Sequence, residues 1–368
     1  MNSFAFYRFP RQEHYTRLCL TEGEPEELFT LEQLNGRRGF VLAPFVVSDD
    51  CPILLFPEER LLKSEKGCLS EEVCLNQGGC EVTRTTPNPS FMKGGDFAGG
   101  GSLKGGEPQY ALAFARFHAA LKAGQFAKLV LSRSEVVSTN RYNPLELFQQ
   151  ACLRYPRMFV ALVAAPRCGT WLMATPEVLL RHCEGQHYET MALAGTMKLE
   201  GELLQFDNPS QSLVQQIRWS QKNIQEQRFV ANYISNRLKD FATDIDEAGP
   251  YTTRAANLVH LRSDFRFTLH ADCGIGSLLE ALHPTPAVCG LPKTEARDFI
   301  LANECQPRLY YSGFCGPLDQ VLYVSLRCMQ ISENHCRLYA GGGLLPDSIE
   351  QQEWEETEAK MQTMRTLL

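Results

Sequence analysis

The spacing at which apolar residues recur changes several times along this chain, and each change marks the start of a predicted strand or helix. Apolar or alternating runs predict strands at 39–47, 52–56, 127–137, 158–165, 170–182, 265–270, 320–331 and 336–340. Helical periodicity predicts helices at 110–123, 213–238 and 348–368. Because strands and helices intermix throughout, we expect an α+β protein with one large mixed fold.

Turn and cap residues refine these boundaries. Gly124 follows the first helix at a C-terminal cap position, and Ser348 with Gln351 forms a capping-box pattern before the last helix. The strand at 170–182 is expected to bend at Pro176, and residues 332–335 are expected to form a hairpin turn.

A glycine-rich segment, KGGDFAGGGSLKGG at 93–106, divides the chain unequally. It has almost no side chains to bury, so we expect a loop there. The predicted organisation is an N-terminal part of the fold at 1–92, this loop, and a larger region at 107–368.

Composition narrows the class of protein. The 368 residues carry a net charge of −7 without a long basic run, which disfavours nucleic acid as a partner. No apolar run approaches the ~18 residues needed to cross a membrane or has the form of a signal peptide. We therefore expect a cytoplasmic protein that has no membrane partner.

Fourteen cysteines raise the question of disulfides or a metal. Several, including Cys152, Cys273 and Cys328, lie in apolar runs, which favours buried free thiols in a reducing compartment. Cys68, Cys74 and Cys80 are evenly spaced, but the spacing is not that of common zinc sites. Free thiols are the preferred interpretation.

Two residues in or beside predicted strands have side chains suited to proton transfer. Lys128 opens an apolar strand and is either a solvent-facing lysine or a desolvated general base. Glu177 follows Pro176 beside another apolar run. It is either a turn residue facing water or a partly buried carboxyl group that acts as a general acid.

Two predicted helices carry rows of ionisable side chains. The rows are Lys222, Asn223 and Glu226, after Trp219 on the long helix, and Glu353, Glu356 and Lys360 on the last helix. On helical geometry each row shares one face. The second row could bind a hard cation such as Mg²⁺, or it could be a solvated acidic face. The first could be no more than a Lys222–Glu226 surface pair.

Glycine-containing turns and one arginine complete the candidates. Gly195 with Thr196, and the run 341–343, could present backbone groups to a ligand or could be simple turns. Arg327 lies in an alternating segment and could hold a carboxylate through two hydrogen bonds if it faces inward.

In order along the chain, these segments closely resemble the chorismate-utilising enzymes. That family includes isochorismate synthases, salicylate synthases and the large subunits of anthranilate and aminodeoxychorismate synthases. The resemblance covers about residues 106–368. Its segments are KLVLSR (128–133), GTWLMATPEVLL (169–180), ALAGT (192–196), WSQKNIQEQ (219–227), ANLVHL (256–261), LHPTPAVCGLP (282–292), RLYYSGFCG (308–316), VSLRC (324–328), YAGGGL (339–344) and EWEETEAK (353–360).

The resemblance implies a fold, a substrate and a site. The fold is two-lobed, with antiparallel sheets and peripheral helices, and region 107–368 binds chorismate. Glu226 and Glu356 would bind Mg²⁺, with Glu353 near the metal. The residues implied to contact substrate are Gly195, Thr196, His283, Tyr311, Arg327, Gly341 and Lys360.

The residue at position 128 distinguishes activities within the family. Members that use ammonia resemble this strand but have glutamine there, whereas lysine accompanies water as the nucleophile. Ala194 stands where the aminodeoxychorismate type has a nucleophilic lysine. The resemblance thus implies an isochorismate synthase, in which Lys128 deprotonates the water that attacks C2 and Glu177 protonates the departing C4 hydroxyl. No glutamine amidotransferase subunit is expected.

The chain departs from the family pattern at a few positions. Met197 follows Gly195-Thr196 where an arginine is common, and Asn223 and Gln227 replace an aspartate and a histidine of the long helix. Two alternatives remain open: a salicylate synthase, which would also eliminate pyruvate, and an inactive chorismate-binding homologue. The product could serve menaquinone or siderophore biosynthesis.

Overall fold

The computed structural model describes residues 3–66, 107–138, 142–198, 217–255 and 258–368. Within these ranges the chain forms eighteen strands and six α-helices. The strands are β1 (Phe4–Arg8), β2 (Tyr15–Leu20), β3 (Glu26–Leu28), β4 (Gly39–Ala43), β5 (Ile53–Pro57), β6 (Leu61–Lys66), β7 (Lys128–Ser138), β8 (Phe159–Ala165), β9 (Gly169–Thr175), β10 (Val178–His182), β11 (His187–Lys198), β12 (Ala242–Ala255), β13 (Leu258–Leu269), β14 (Gly290–Leu291), β15 (Phe314–Pro317), β16 (Val321–Val324), β17 (Cys328–Ile331) and β18 (His335–Leu344). The helices are α1 (Glu107–Lys122), α2 (Pro144–Arg154), α3 (Gln221–Leu238), α4 (Ile275–Leu282), α5 (Lys293–Asn303) and α6 (Glu350–Arg365).

The described strands form two antiparallel sheets of nine strands each. The first has the order β14-β7-β18-β17-β9-β8-β1-β2-β6, and the second has the order β12-β13-β11-β10-β16-β15-β4-β5-β3. Because β1–β6 join both sheets, the N-terminal segment is built into the same sheets as the rest of the chain. The predicted α+β class with antiparallel sheets is confirmed.

Apolar side chains fill the space between the sheets and beneath the helices. Large aromatics such as Phe40, Trp171 and Tyr323 are buried in one cluster that draws on both sheets. A second cluster packs α3 and α4 on the second sheet, a third packs α2 and α6 on the first, and a fourth packs α1 and α5 around β7. The helices therefore cover the outer faces of the two sheets.

Two segments predicted as single strands each cross from one sheet to the other. Segment 170–182 divides into β9 in the first sheet and β10 in the second, and segment 320–331 divides into β16 and β17. The prediction of a single strand, bent at Pro176 in the first segment, was wrong in both places. Pro176 cannot donate a hydrogen bond to a sheet, and Arg327, directly before β17, has a positive φ of 45°, so neither strand continues through these residues.

Several predicted boundaries also change. Helix α3 begins at Gln221, where the Ser220 hydroxyl accepts a hydrogen bond from the Asn223 amide, so Trp219 lies before the helix. Residues 213–216 of the predicted helix lie outside the described residues. The predicted capping box of the last helix is absent, since α6 follows Ile349 without a side-chain cap and the Ser348 hydroxyl accepts from Leu345 instead. The glycines at 195 and 341–343 lie inside β11 and β18 rather than in turns.

Cys152, Cys273 and Cys328, which the sequence predicted to be free thiols, form no disulfide. Cys152 and Cys328 are buried, and Cys273 is half-buried. The glycine-rich segment 93–106 and the group Cys68, Cys74 and Cys80 lie outside the described residues. In the part of the chain that is described, no helix is long and apolar enough to cross a membrane.

Candidate active site

A cavity opens where both sheets meet helices α3 and α6. It collects side chains from strands, helices and the two crossover segments, although these lie far apart in the sequence. Its lining residues are Val130, Pro176, Glu177, Leu193, Ala194, Gly195, Thr196, Glu226, His260, Ala287, Val288, Tyr311, Leu326, Arg327, Ala340, Gly341, Gly343 and Lys360.

Lys128 and Glu226 form a buried ion pair at one end of this cavity. Lys128 is fully buried, and its Nζ lies 3.1 Å from Glu226 Oε1. The approach depends on Gly343, because a Cβ at that position would lie 2.0 Å from Glu226 Oε1 and 3.0 Å from Lys128 Cε. The solvent-facing interpretation of Lys128 is therefore excluded.

Helix α6 adds two further glutamates at the same end. Glu353 pairs with Lys222 of α3, and Glu356 Oε1 lies 2.7 Å from Lys360 Nζ, which also donates to the Gly341 carbonyl. A Cβ on Gly342 would lie 3.5 Å from Glu353 Oε2 and 3.7 Å from Glu356 Oε1. The acidic row thus faces β18 rather than solvent, and Lys222 contacts the other helix instead of forming a surface pair with Glu226.

The environment sets the charge of these carboxyl groups. Burial alone would raise the pKa of Glu226, but the ammonium groups of Lys128, Lys222 and Lys360 outweigh burial and lower it. Burial and the carboxylate of Glu356 raise the pKa of Glu353 to about 7, against the opposing charge of Lys222.

Glu177 lies in the β9–β10 crossover and has a different environment. Its side chain is buried, and among the described residues no cationic group lies within ion-pair distance of it. Burial raises the pKa of Glu177 to about 8, although Lys128, Lys360 and Arg327 each partly offset the shift. The group is therefore protonated at neutral pH and can donate a proton.

Arg327 and His260 form a hydrogen-bonded pair that also lines the cavity. An Arg327 Nη2 hydrogen is donated to His260 Nε2 at 3.1 Å. Because that nitrogen accepts, His260 Nδ1 carries the hydrogen and donates it to the Gly195 carbonyl at 3.2 Å. Burial and the charge of Arg327 lower the pKa of His260, so the ring stays neutral. Arg327 itself keeps one buried nitrogen, Nη1, with no hydrogen-bond partner among the described residues.

The two glycine positions bring backbone to the cavity surface. Gly195 has a φ of 70° at a bulge in β11, and a Cβ there would lie 3.0 Å from the carbonyl oxygen of Asn223. A Cβ on Gly341 would lie 2.9 Å from the Tyr311 hydroxyl. Thr196, Tyr311, Arg327 and Lys360 also line the cavity, so six of the seven predicted substrate contacts meet at its surface.

One predicted contact lies elsewhere, and one polar side chain of the lining was not predicted. His283 is buried with Nε2 3.0 Å from the Pro44 carbonyl, and it is not among the lining residues. The loop that follows it reaches the cavity through Ala287 and Val288. His260 was missed, although it stands opposite Thr196 in the register of β11 and β13.

Glu226, which lines the cavity, and Glu353 and Glu356 beside it are the groups that could hold a hard cation. Carboxylate oxygens suit Mg²⁺, which takes one or two of them and keeps several waters. Glu353 Oε2 is buried and has no hydrogen-bond partner among the described residues, which leaves an acceptor for a cation. The oxygens of Glu226, Glu353 and Glu356 do not all lie within 4.8 Å of one another, and each glutamate contacts a lysine. For one cation to contact all three carboxylates, their oxygens therefore have to move closer together.

Comparison with known proteins identifies the family. Residues 104–368 match the family model described as chorismate binding enzyme. This chain therefore belongs to the chorismate-binding enzyme family, as its sequence segments indicated. The match spans every element that contributes to the cavity.

Characterised relatives and solved structures agree with that assignment. The chain is 33% identical over 255 residues to the salicylate biosynthesis isochorismate synthase of Pseudomonas aeruginosa, covering 67% of this chain and 52% of the relative. It is 36% identical over 204 residues to isochorismate synthase MenF of Escherichia coli, covering 54% and 46%. The matches thus span about half the length of these relatives.

The fold extends the likeness to the N-terminal strands. The solved structure of the menaquinone-specific isochorismate synthase MenF from Escherichia coli superposes with a TM-score of 0.77 and 22% identity, covering all of this chain and 88% of MenF. The DhbC structure from Bacillus anthracis gives a TM-score of 0.74 at 22% identity, covering 99% of this chain and 95% of that one.

Proposed function

We propose that this protein is an isochorismate synthase, which converts chorismate to isochorismate by adding water at C2 and releasing the C4 hydroxyl. One observation carries the proposal: a buried carboxyl group that keeps its proton lines the same cavity as Glu226, whose ion-pair partner is a buried lysine. Glu177 and Lys128 are those two groups. The names of the relatives, which are isochorismate synthases, support the same reaction.

Binding of a dicarboxylate fits the charges of the cavity. Arg327 Nη1 is a buried donor without a partner, and a substrate carboxylate would satisfy it. Gly195, Thr196 and Gly341 line the same cavity. We assign these groups, with Tyr311 and Lys360, to substrate binding. His283 does not line the cavity, and we assign it to supporting the loop that reaches the cavity through Ala287 and Val288.

The proton transfers follow from the two ends of the cavity. For this step Lys128 has to be the neutral amine, so its ammonium group first gives up a proton to solvent. The amine then takes a proton from the water as that water forms its bond to C2, and the ring double bond shifts as the C4–O bond breaks. Glu177 gives its proton to the departing hydroxyl, which leaves as water. One water enters and one leaves, so the reaction is a net isomerisation that needs both groups at once.

We assign Glu226 and Glu356, with Glu353 beside them, to Mg²⁺. When bound, the ion supplies positive charge against a ring carboxylate and so orients the ring. Lys128, Lys222 and Lys360 hold the three carboxylates in position through the contacts described above. Gly343 leaves the space in which Glu226 can reach both the lysine and the cation.

Water rather than ammonia is the proposed nucleophile. Lys128 replaces the glutamine of ammonia-using members of the family, and Ala194 lines the cavity where a nucleophilic lysine would be needed for an amine route. Ammonium salts should therefore give no anthranilate and no aminodeoxychorismate.

Product analysis tests this proposal directly. The purified chain is incubated with chorismate and Mg²⁺, and the products are separated by liquid chromatography, with excess chelator as the control. We expect isochorismate, formed only when Mg²⁺ is available. Salicylate with pyruvate would assign a salicylate synthase instead, and unchanged chorismate would favour an inactive binding homologue. An aminated product in the presence of ammonium would contradict the choice of nucleophile.

A further inference from the structure

A second group of metal-binding side chains lies on the surface turn between β13 and α4. Within the described ranges, His270, Asp272 and Cys273 form the one set of three such residues whose ligand atoms all lie within 4.8 Å of one another. They offer one imidazole nitrogen, one carboxylate oxygen and one sulfur. None of them lines the cavity. We propose that this turn binds Zn²⁺.

The backbone holds the three side chains in place. The amide of Cys273 donates to the His270 carbonyl at 3.0 Å and closes the turn, and the amide of His270 donates to the Phe241 carbonyl at 2.9 Å. Cys273 and Phe241 also pack against the apolar cluster beneath α4. The ligands therefore start from a fixed turn rather than from a free loop, which reduces the entropy lost on binding.

Exposure allows an ion to enter from solvent. Asp272 is exposed, whereas His270 and Cys273 are half-buried. A tetrahedral zinc site places its ligand atoms roughly 3.4–3.8 Å apart, so small side-chain rotations suffice from the present arrangement. Three protein ligands leave a fourth position for water.

The donor set selects the kind of metal. Imidazole and thiolate bind zinc and similar transition metals, whereas Mg²⁺ prefers oxygen ligands throughout. The Cys273 thiol would release its proton to solvent as the sulfur–metal bond forms. The turn and the glutamates of the cavity would thus take different metals, and neither proposal depends on the other.

Bound zinc would link the end of β13, in the second sheet, to the start of α4, the helix that packs on that sheet. His270 directly follows β13, and Cys273 lies two residues before the first residue of α4. A ligand that binds only the folded chain stabilises it by mass action. Zn²⁺ should therefore raise the melting temperature of the protein without any chorismate being present.

Cobalt provides an optical probe of this site. Metal-free protein is titrated with Co²⁺, and we expect one equivalent to produce the near-ultraviolet thiolate-to-cobalt charge-transfer band and visible tetrahedral bands. Zn²⁺ should displace the cobalt, and a large excess of Mg²⁺ should not. Absence of the charge-transfer band in the unmodified protein would overturn the proposal.

Matched variants test whether the band comes from this turn. Cys273→Ser should abolish it, while Cys183→Ser and Cys305→Ser, at exposed cysteines elsewhere, should leave it intact. Asp272→Asn changes an exposed side chain and should weaken Co²⁺ binding at least about tenfold while keeping the band. A band that persists in Cys273→Ser would assign the metal to other cysteines. Chorismate turnover is not measured, so failure here leaves the proposed reaction untouched.

Discussion

Glu226 and Glu177 are buried glutamates of one cavity, yet their pKa values shift in opposite directions. Burial is the largest cause acting on each and favours the neutral acid in both. Glu226 has the ammonium of Lys128 at 3.1 Å, and this contact with the more distant lysines reverses the shift. Glu177 has no such contact among the described residues, and its pKa rises to about 8.

The difference shows how one small space can keep two carboxyl groups in opposite protonation states. A contacting counter-charge together with further lysines outweighs desolvation, whereas positive charges that make no contact only reduce its effect. The cavity therefore has an ionised end, formed by lysine–glutamate pairs on α3, α6 and β7, and a second part around Glu177, called the neutral end because that carboxyl group keeps its proton. Variants at each end should have different consequences.

The largest effect is expected at the ionised end. Glu226→Gln or Glu356→Gln removes a carboxylate that we assign to Mg²⁺ and leaves a lysine without its counter-charge. Turnover should fall at least about 10³-fold, and Mg²⁺ affinity measured by calorimetry should fall with it. Glu355→Gln, on the exposed side of α6, is the matched control and should keep its activity. Full turnover in excess chelator would remove the metal assignment.

Loss of either proton-transfer group should reduce the rate more than binding. Lys128→Ala and Glu177→Gln should each lower kcat by about 10²–10⁴-fold, the usual range for general acid–base groups. The KM for chorismate should change far less, because neither residue is assigned to the substrate carboxylates. If Lys128→Ala keeps near-normal turnover, the base lies elsewhere and the mechanism fails.

The neutral end should give the reaction a basic limb in its pH profile. Glu177 can act as an acid only while protonated, and its pKa is raised to about 8. Activity should therefore be retained below that pH and lost as the pH rises through it. Stopped-flow or steady-state kcat values from pH 6 to 10 measure this limb. The residual activity of Glu177→Gln should lack it, and a limb that survives in this variant must belong to another group.

The smallest effect on turnover is expected from the arginine–histidine pair. Arg327→Ala removes a charged donor from a substrate carboxylate and should raise KM by roughly 10–100-fold, with a lesser change in kcat. His260→Ala leaves the guanidinium present but without its partner, so its KM should rise less. A change confined to kcat in Arg327→Ala would place this residue in the chemical step instead of in binding.

The sequence was most informative where a local pattern and a family resemblance agreed. Strand β7 with Lys128, helix α1 and the row of Glu353, Glu356 and Lys360 on α6 were all predicted close to their observed positions. Spacing alone does not distinguish whether that row is a metal site or a solvated face of the helix. What decides its environment is burial against β18, a contact between segments that no local pattern encodes.

The two wrong strand predictions share a physical cause. Through both crossovers the apolar run continues on either side of the break, because each half is buried in its own sheet, so periodicity cannot reveal the change of sheet. Ser220 is a residue type favoured at helix N-caps, but the apolar residues before it continue the helical pattern and obscure this signal. His260 had only one sequence signal, an imidazole in an alternating strand, and its role depends on a cross-strand neighbour.

The two crossovers also constrain how this protein can change over evolution. Glu177 and Arg327 each lie between a strand of one sheet and a strand of the other. The hydrogen-bonding ladders on both sides therefore fix the position of each residue. Inserting or deleting a residue there would shift the register of a strand and rotate its side chains to the opposite face. Length variation should therefore accumulate in outer connections, while these two short segments keep a fixed length even in relatives whose chemistry has diverged.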